Sequence, residues 1–279
     1  MARPIIVDCD NALGVPLCDV DDGLALLFLL AQSTLHVLGV TTTYGNAPLS
    51  AVTRATRRLL DQVGGSAPSL LPGAPRLGGG TTAAARFLVD ATAARPGEVT
   101  IVAIGPLSNL TAAADLDDGF FGRCAEVVCI GGTLGPARLG HWRLREVNFE
   151  ADAVAARRVL STRDCRVTVI PATSCLALTL GRSDLPALPP AIRGAVRRWL
   201  TCCRVWRGLR QAVLWDLLPA LWATRPELLL ATDAMVTLGF HGQLSATPGG
   251  PHRLVRGLCD PPAAKALILD RLGTMLSRV

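Results

Sequence analysis

The sequence predicts an α/β fold: a mostly parallel sheet flanked by helices, with a more helical C-terminal part. Three observations predict it. Short, continuously apolar runs such as PIIV and TIVAI recur, as strands buried on both faces require. Stretches rich in Ala and Leu, or apolar on one side only, separate these runs and are long enough to be crossover helices. Polar residues and glycines gather at the ends of the apolar runs, where open parallel sheets bind their ligands.

The elements follow in order. Residues 4–8 (PIIVD) read as a buried strand and 22–32 as a helix. LHVLGVTTTYG (35–45) is a second strand, and LSAVTRATRRLLDQVG (49–64) a helix stopped by Gly64 and Gly65. EVTIVAIG (98–105) is a third strand, broken by Pro106, after which LSNLTAAADL starts a helix. AEVVCIGG (125–132) is a fourth strand, EADAVAARRVLS (150–161) a helix and RVTVIPA (166–172) a fifth strand. The segment from 190 to 230 reads as helical, with Trp199, Trp206, Trp215 and Trp222 at roughly helical spacings. AMVTLGF (234–240) and HGQLSATP read as a strand pair, and a last helix is expected over 261–277. LGGGTTAAA (77–85) reads as a loop and helix start; it lacks the Lys-Ser/Thr of a phosphate loop. No internal repeat or long linker interrupts this alternation, so residues 1–279 are expected to form one domain.

Composition narrows the function classes. Half of the 279 residues are hydrophobic, enough for a sizeable core and against disorder. The net charge is +6 and nearly all the cations are arginine. The densest groups, TRATRR (53–58) and RRWLTCCRVWRGLR (197–210), read as solvated helix faces, so no nucleic-acid partner is expected. The apolar run LALLFLLA (24–31) is too short to span a bilayer, so no membrane role is expected either. The nine cysteines include no C-x-x-C pair, and the first strand begins almost at Met1. Both features predict reduced thiols in a cytoplasmic protein without a secretory leader.

Chemistry is concentrated in PIIVDCDNALGVPLCDVDDGL (4–24). Asp8 and Asp10 end the first strand on the same side of an extended chain, and Asp21 and Asp22 open the next helix. A helix N-terminus favours negative charge, so one of the latter two could be a simple N-cap. A cap accounts for one carboxylate, not four. Four close carboxylates repel unless protonated or neutralised by a cation, and an all-oxygen set suits Ca²⁺ or Mg²⁺. Other polar clusters fall at later strand ends: Asn46 after the second, Ser108 and Asn109 after the third, and Gly131 and Gly132 after the fourth. The predicted topology brings these ends together.

These segments resemble, in order, the inosine-uridine-preferring nucleoside hydrolase family. IIVDCDN and DVDDGLALL are similar to its N-terminal aspartate signature, and GVTTTYGN to its second strand and Asn. VAIGPLSNL, VVCIGG, EVNFEADAVAARRVL and LWDLLPALWATRPELL resemble its later motifs, so that the likeness covers roughly residues 4–230. The resemblance implies a Rossmann-like fold and hydrolysis of the N-glycosidic bond of ribonucleosides to free base and ribose. It implies Ca²⁺ held by Asp10, Asp22, Asp216 and the backbone carbonyl of Ser108, with Asp10 also the general base for the attacking water. Asp21, Glu146 and Asn148 would hold the ribose hydroxyls with Asn46 nearby, and Asp8 would orient the site from behind. Trp215, beside Asp216, would stack on the leaving base; on residue spacing alone it also fits a core tryptophan. A homodimer or homotetramer acting in nucleoside salvage is the implied assembly and role.

Three departures from the family pattern stand out. Ten residues, NALGVPLCDV, separate Asp10 from Asp21 where the usual pattern has three. The family's His-Gly loop after PGAPRL is missing, and its Asn before the E-x-N segment has no clear match near Gly140 and His141. His141 reads as a loop residue rather than a substitute contact. Two other readings stay open. A haloacid-dehalogenase-like phosphatase also places DxD after a first strand, but wants a Thr after it and a later Lys, whereas Lys265 is the only lysine here. A non-catalytic nucleoside- or ribose-binding protein would also keep the fold.

Overall fold

Ile5, Ile6 and Val7 are all buried, with Ile5 and Val7 in one apolar cluster and Ile6 in another. That is why the first apolar run becomes a central strand, β1 (Arg3–Cys9), covered on both faces. The computed structural model describes residues 2–64, 67–78 and 80–275. After β1 come α1 (Asp21–Leu30), β2 (Leu35–Thr42), α2 (Leu49–Val63), β3 (Ser69–Pro72), α3 (Ala83–Ala94) and β4 (Thr100–Ala103). The middle of the chain forms α4 (Ser108–Leu116), α5 (Phe120–Arg123), β5 (Glu126–Ile130), a ribbon of β6 (Arg138–Leu139) and β7 (Trp142–Arg143), α6 (Asn148–Ala151), α7 (Ala153–Ser161) and β8 (Arg166–Ile170). The remainder contains β9 (Thr179–Gly181), α8 (Pro190–Arg207), β10 (Gln211–Val213), α9 (Leu217–Thr224), β11 (Leu229–Leu238), β12 (Leu244–Pro248), β13 (His252–Leu258) and α10 (Pro261–Met275).

Nine strands form one sheet in the order β12-β11-β13-β8-β5-β4-β1-β2-β3. From β3 to β13 the neighbours run parallel, and β11 pairs antiparallel with β13 on one side and with β12 on the other. The chain moves outward from β1 through β2 to β3, then returns to build β4, β5 and β8 on the other side of β1. The carboxyl ends of β1 and β4 therefore flank the switch point, the place where open α/β sheets bind ligands. One face of the sheet is covered by the apolar sides of α1, α8, α9 and α10, through residues such as Phe28, Trp199, Leu217 and Ile268. The other face is covered by α3, α4 and α7, through Leu88, Leu110 and Val159.

The predicted elements form, with differences in detail. The helix expected over 150–161 is two pieces, because Asp152 has φ −145° and ψ 77° and its side chain caps α7 by accepting from the Ala155 N–H at 3.0 Å. The helical stretch expected over 190–230 is interrupted: Gly208 takes the left-handed conformation that ends α8, and β10 then pairs with β9. β3, the β6–β7 ribbon, β9 and β13 are additional strands. β13 lies between β8 and β11 and joins the C-terminal hairpin to the parallel sheet; Arg253 and Arg256 break its apolar pattern. Gly65 and residues 276–277 of the expected last helix lie outside the described residues, as does Gly79 in the Gly-rich loop.

Candidate active site

Two helices meet at the end of β1 with their N-termini forward. α1 begins at Asp21, and its N-cap is Val20, which makes no side-chain cap. Neither Asp21 nor Asp22 is therefore the cap that a structural reading allowed. α9 packs against α1 and has Asp216 at its own N-cap position, again without a side-chain cap bond. Carboxylate oxygens of Asp21, Asp22 and Asp216 lie within 4.8 Å of one another, and all three residues are buried. Asp10 adjoins them: its N–H donates to Asp22 Oδ1 at 3.1 Å, and the two side chains face each other. The structure thus groups Asp21 most closely with Asp22 and Asp216, and sets Asp10 beside that trio. Two helix N-termini pointing at one spot supply partial positive charge that offsets some of the repulsion.

Glycines shape the cradle of Asp10. A Cβ at Gly45 would lie 2.1 Å from Asp10 Oδ2, and one at Gly105 would lie 2.8 Å from Asp10 Oδ1. The Asn46 N–H donates to Asp10 Oδ2 at 2.5 Å. The carboxylate is thereby fixed by backbone on two sides. Asp8 lies one pleat further back, fully buried, where Oδ1 accepts from Thr41 Oγ1 at 2.6 Å and Asn109 Nδ2 at 2.7 Å. Its Oδ2 is buried without a partner.

These residues open onto a cavity of about 600 Å³ that is lined by Asp10, Asp21, Asp22, Asn46, Asn148 and Asp216, among others. Asn148 donates through Nδ2 to the carbonyls of Ile104 (3.0 Å) and Ile130 (3.3 Å), which end β4 and β5 at the cavity wall. Glu146 lines the wall too, but its carboxylate accepts from the N–H groups of Phe149 (2.8 Å) and Glu150 (2.9 Å), which fixes the start of α6. Trp215 is half-buried on the wall, and its N–H donates to Asp21 Oδ2 at 2.9 Å. Ser108 stands apart from the lining. Its hydroxyl donates to Asp152 Oδ2 at 2.6 Å, and its carbonyl accepts from Thr111 Oγ1 within α4. His141 is exposed at the turn of the β6–β7 ribbon, and no histidine is among the lining residues.

One acid at the cavity escaped the sequence reading. Asp19, in the inserted loop, lines the cavity and is held from three directions. Its N–H and C=O bond the Asn46 side chain at 3.1 and 3.0 Å, and its carboxylate accepts from Trp199 Nε1 of α8 at 2.7 Å. The insertion is therefore clamped between the end of β2 and α8 rather than left as an open loop.

Burial raises the carboxyl pKa values throughout. Asp8 is pushed up to about 7 by desolvation, against the opposing pull of its bonds from Thr41 and Asn109. Asp10 is raised to about 6 by burial, tempered by the Asn46 N–H. Asp21 is raised to about 7, by burial first and the Asp19 charge second. Asp22 and Asp216 are raised well above the carboxylate range by burial and then by neighbouring aspartates. Among the described residues, none of Asp10, Asp21, Asp22 and Asp216 forms an ion pair with Arg, Lys or His. Buried carboxylates at this density without cationic partners, offering only oxygen donors, fit a hard divalent cation.

The chain matches the family described as inosine-uridine preferring nucleoside hydrolase over residues 5–252. Uridine nucleosidase 1 of Arabidopsis thaliana is 30% identical over 210 residues, covering 65% of this chain and 60% of that protein. The pyrimidine-specific ribonucleoside hydrolase RihB of Escherichia coli is 25% identical over 187 residues, covering 57% of this chain and 56% of that protein. The chain therefore spans between half and two thirds of the length of these two curated relatives. Among solved structures, a purine-preferring ribonucleoside hydrolase from Gardnerella vaginalis superposes with a TM-score of 0.86 at 18% identity, over 99% of this chain and 100% of that one. A plant nucleoside hydrolase superposes with a TM-score of 0.85 at 21% identity, over 98% and 100% of the two chains. At these identities the structural likeness carries the fold.

Proposed function

The chain belongs to the inosine-uridine preferring nucleoside hydrolase family, and from that premise we propose that it hydrolyses the N-glycosidic bond of ribonucleosides, giving free base and ribose, with Ca²⁺ at the aspartate cluster. The observation that carries this reading is the convergence of Asp10, Asp21, Asp22 and Asp216 at the carboxyl end of β1, at the floor of one cavity. Asp10, Asp22 and Asp216, with the Ser108 carbonyl, would hold the cation, and Asp21 would stand beside it with its carboxylate towards the ribose. When bound, a divalent cation supplies Lewis acidity that lowers the pKa of water.

The protein groups supply the rest. Breaking the ribosyl C–N bond builds positive charge on the sugar, as in other glycoside hydrolysis. The buried carboxylates oppose that charge from fixed positions, where little reorganisation is needed. Asp10 accepts the proton from the attacking water as it adds to C1′. The Asn46 N–H and the cradle of Gly45 and Gly105 aim its carboxylate. Asp21 and Asn148 receive the ribose hydroxyls; Glu146 fixes the turn that presents Asn148, and Asp8 backs the floor through Thr41 and Asn109. Trp215 stacks on the leaving base. We place the whole 1–279 chain in one catalytic unit, acting in nucleoside salvage in the cytoplasm as a homodimer or homotetramer. No described helix is long and apolar enough to cross a membrane. The phosphatase reading loses support because Lys265 pairs with Asp184 at 2.7 Å, and neither residue is in the cavity lining.

Two measurements follow. Ribose release from uridine or inosine should exceed sugar release from the 2′-deoxy analogue by about 10²-fold or more, because a site built around a hydroxyl rejects its absence. Equal rates on both sugars would remove the ribose from the acidic floor. Gly105→Ala places a methyl group against the Asp10 carboxylate, so kcat should fall tenfold or more in protein that still folds, as small displacements of a reacting group cost rates of that order, up to about 10²-fold. An unchanged kcat would show that the position of Asp10 does not matter.

A further inference from the structure

The cavity has a second electrostatic character at its mouth. Arg143, Arg145 and Arg207 line the same cavity as the aspartates, but come from elements above the floor. Arg143 and Arg145 belong to β7 and the chain just after it, and Arg207 ends α8. These elements touch: a Cβ at Gly140 would lie 3.1 Å from Leu209 Cδ2 and 3.5 Å from the Arg207 carbonyl oxygen. They form a roof across one side of the opening.

The roof carries unspent positive charge. Arg138 lies directly opposite Arg143 in the two-residue ribbon. Like charges facing each other across an antiparallel pair are unfavourable, and here they oppose the packing of Leu139 on the core that holds the ribbon. Arg143 forms no ion pair among the described residues. Arg145 reaches Glu150 at 3.5 Å and Arg207 reaches Asp19 at 3.7 Å, both too long for a tight charge-assisted bond. A neutral nucleoside offers these guanidinium groups hydrogen-bond acceptors but no compensating charge. An anion held between them would neutralise the ribbon and meet a geometry that arginine suits.

We propose that the preferred substrate carries an anionic group, a phosphate on the 5′ oxygen or a carboxylate on the base, seated on Arg143, Arg145 and Arg207 while the ribose lies on the aspartate floor. The inference rests on the N-ribosyl hydrolase reading and deepens it. The anionic group is a spectator: water adds to C1′, the C–N bond breaks, and the phosphate or carboxylate leaves with the sugar or the base unchanged.

The test compares uridine, uridine 5′-monophosphate and orotidine on the full chain with calcium present. Two readouts are taken: kcat/KM for base release, and affinity from the quenching of Trp142 and Trp206, which also line the cavity. At least one anionic compound should exceed uridine tenfold or more in both readouts. A gain with the monophosphate alone assigns the 5′ side, and a gain with orotidine alone assigns the base side. The double substitution Arg143→Gln, Arg207→Gln should lower the anionic-to-neutral ratio tenfold or more, and added salt should erode it in the unsubstituted protein. Neither anion binding better than uridine, or a ratio indifferent to the arginines, overturns the inference. Absence of turnover on every compound would count against the hydrolase reading, while the affinity ratio would still decide this one.

Discussion

Asp10→Asn should lower ribose release from ribonucleosides by about 10²–10⁴-fold, the range a positioned general base contributes. Fold damage is not the expected cause. The Asn46 N–H that now donates to Asp10 Oδ2 at 2.5 Å finds an acceptor of the same shape in asparagine. The substitution also removes one of four crowded buried charges, so the metal-free variant should melt no lower than the parent, and its midpoint should rise where the parent's carboxylates are ionised. Rate and melting temperature are therefore expected to move independently. A variant that keeps parental turnover would take Asp10 out of the chemistry. One that loses both activity and folded structure would make it a structural residue.

The metal-free protein should lose stability as pH rises from about 4 to about 7, the reverse of ordinary acid denaturation for these groups. Asp8 and Asp21 titrate near 7 and Asp10 near 6 in the folded chain, all raised first by burial, and Asp22 and Asp216 move in the same direction. Unfolded, each returns to the ordinary carboxylate value near 4. Between these values the folded chain binds more protons than the unfolded chain, so raising the pH favours unfolding. The contribution is complete below the unfolded value and gone above the folded one. Calcium opposes the trend, since it requires the ionised carboxylates and competes with their protons. Chelator-treated protein should therefore melt on the order of 5–10 °C lower near pH 8 than near pH 5. Excess calcium should remove most of that fall. A midpoint that rises with pH in the chelated protein would mean that the cluster is not under charge strain.

The sequence made the centre of the site legible because its chemistry conflicts with its surroundings. A buried strand has no structural use for Asp8 and Asp10 at its end, nor α1 for two acids in an otherwise apolar first turn. Asp216 is far away in the chain, and only the resemblance brought it in; the meeting of α1 and α9 by their N-termini depends on tertiary packing. Three residues have local partners that spacing does not reveal. Glu146 spends its carboxylate on the start of α6, Ser108 turns into α4 and towards Asp152, and Asp19 locks the inserted loop to Asn46 and Trp199. The parallel strands were readable from their apolar runs. The β6–β7 ribbon was not, because two residues per strand show no periodicity, and β13 was not, because its arginines interrupt the pattern.

The central claim is that these aspartates hold a divalent cation for N-ribosyl hydrolysis. The most direct test is ribose release from a ribonucleoside panel by chelator-stripped protein titrated with calcium. The account predicts no significant release at the start and recovery that saturates as one site per chain fills. Undiminished release by protein shown to contain no metal would contradict it.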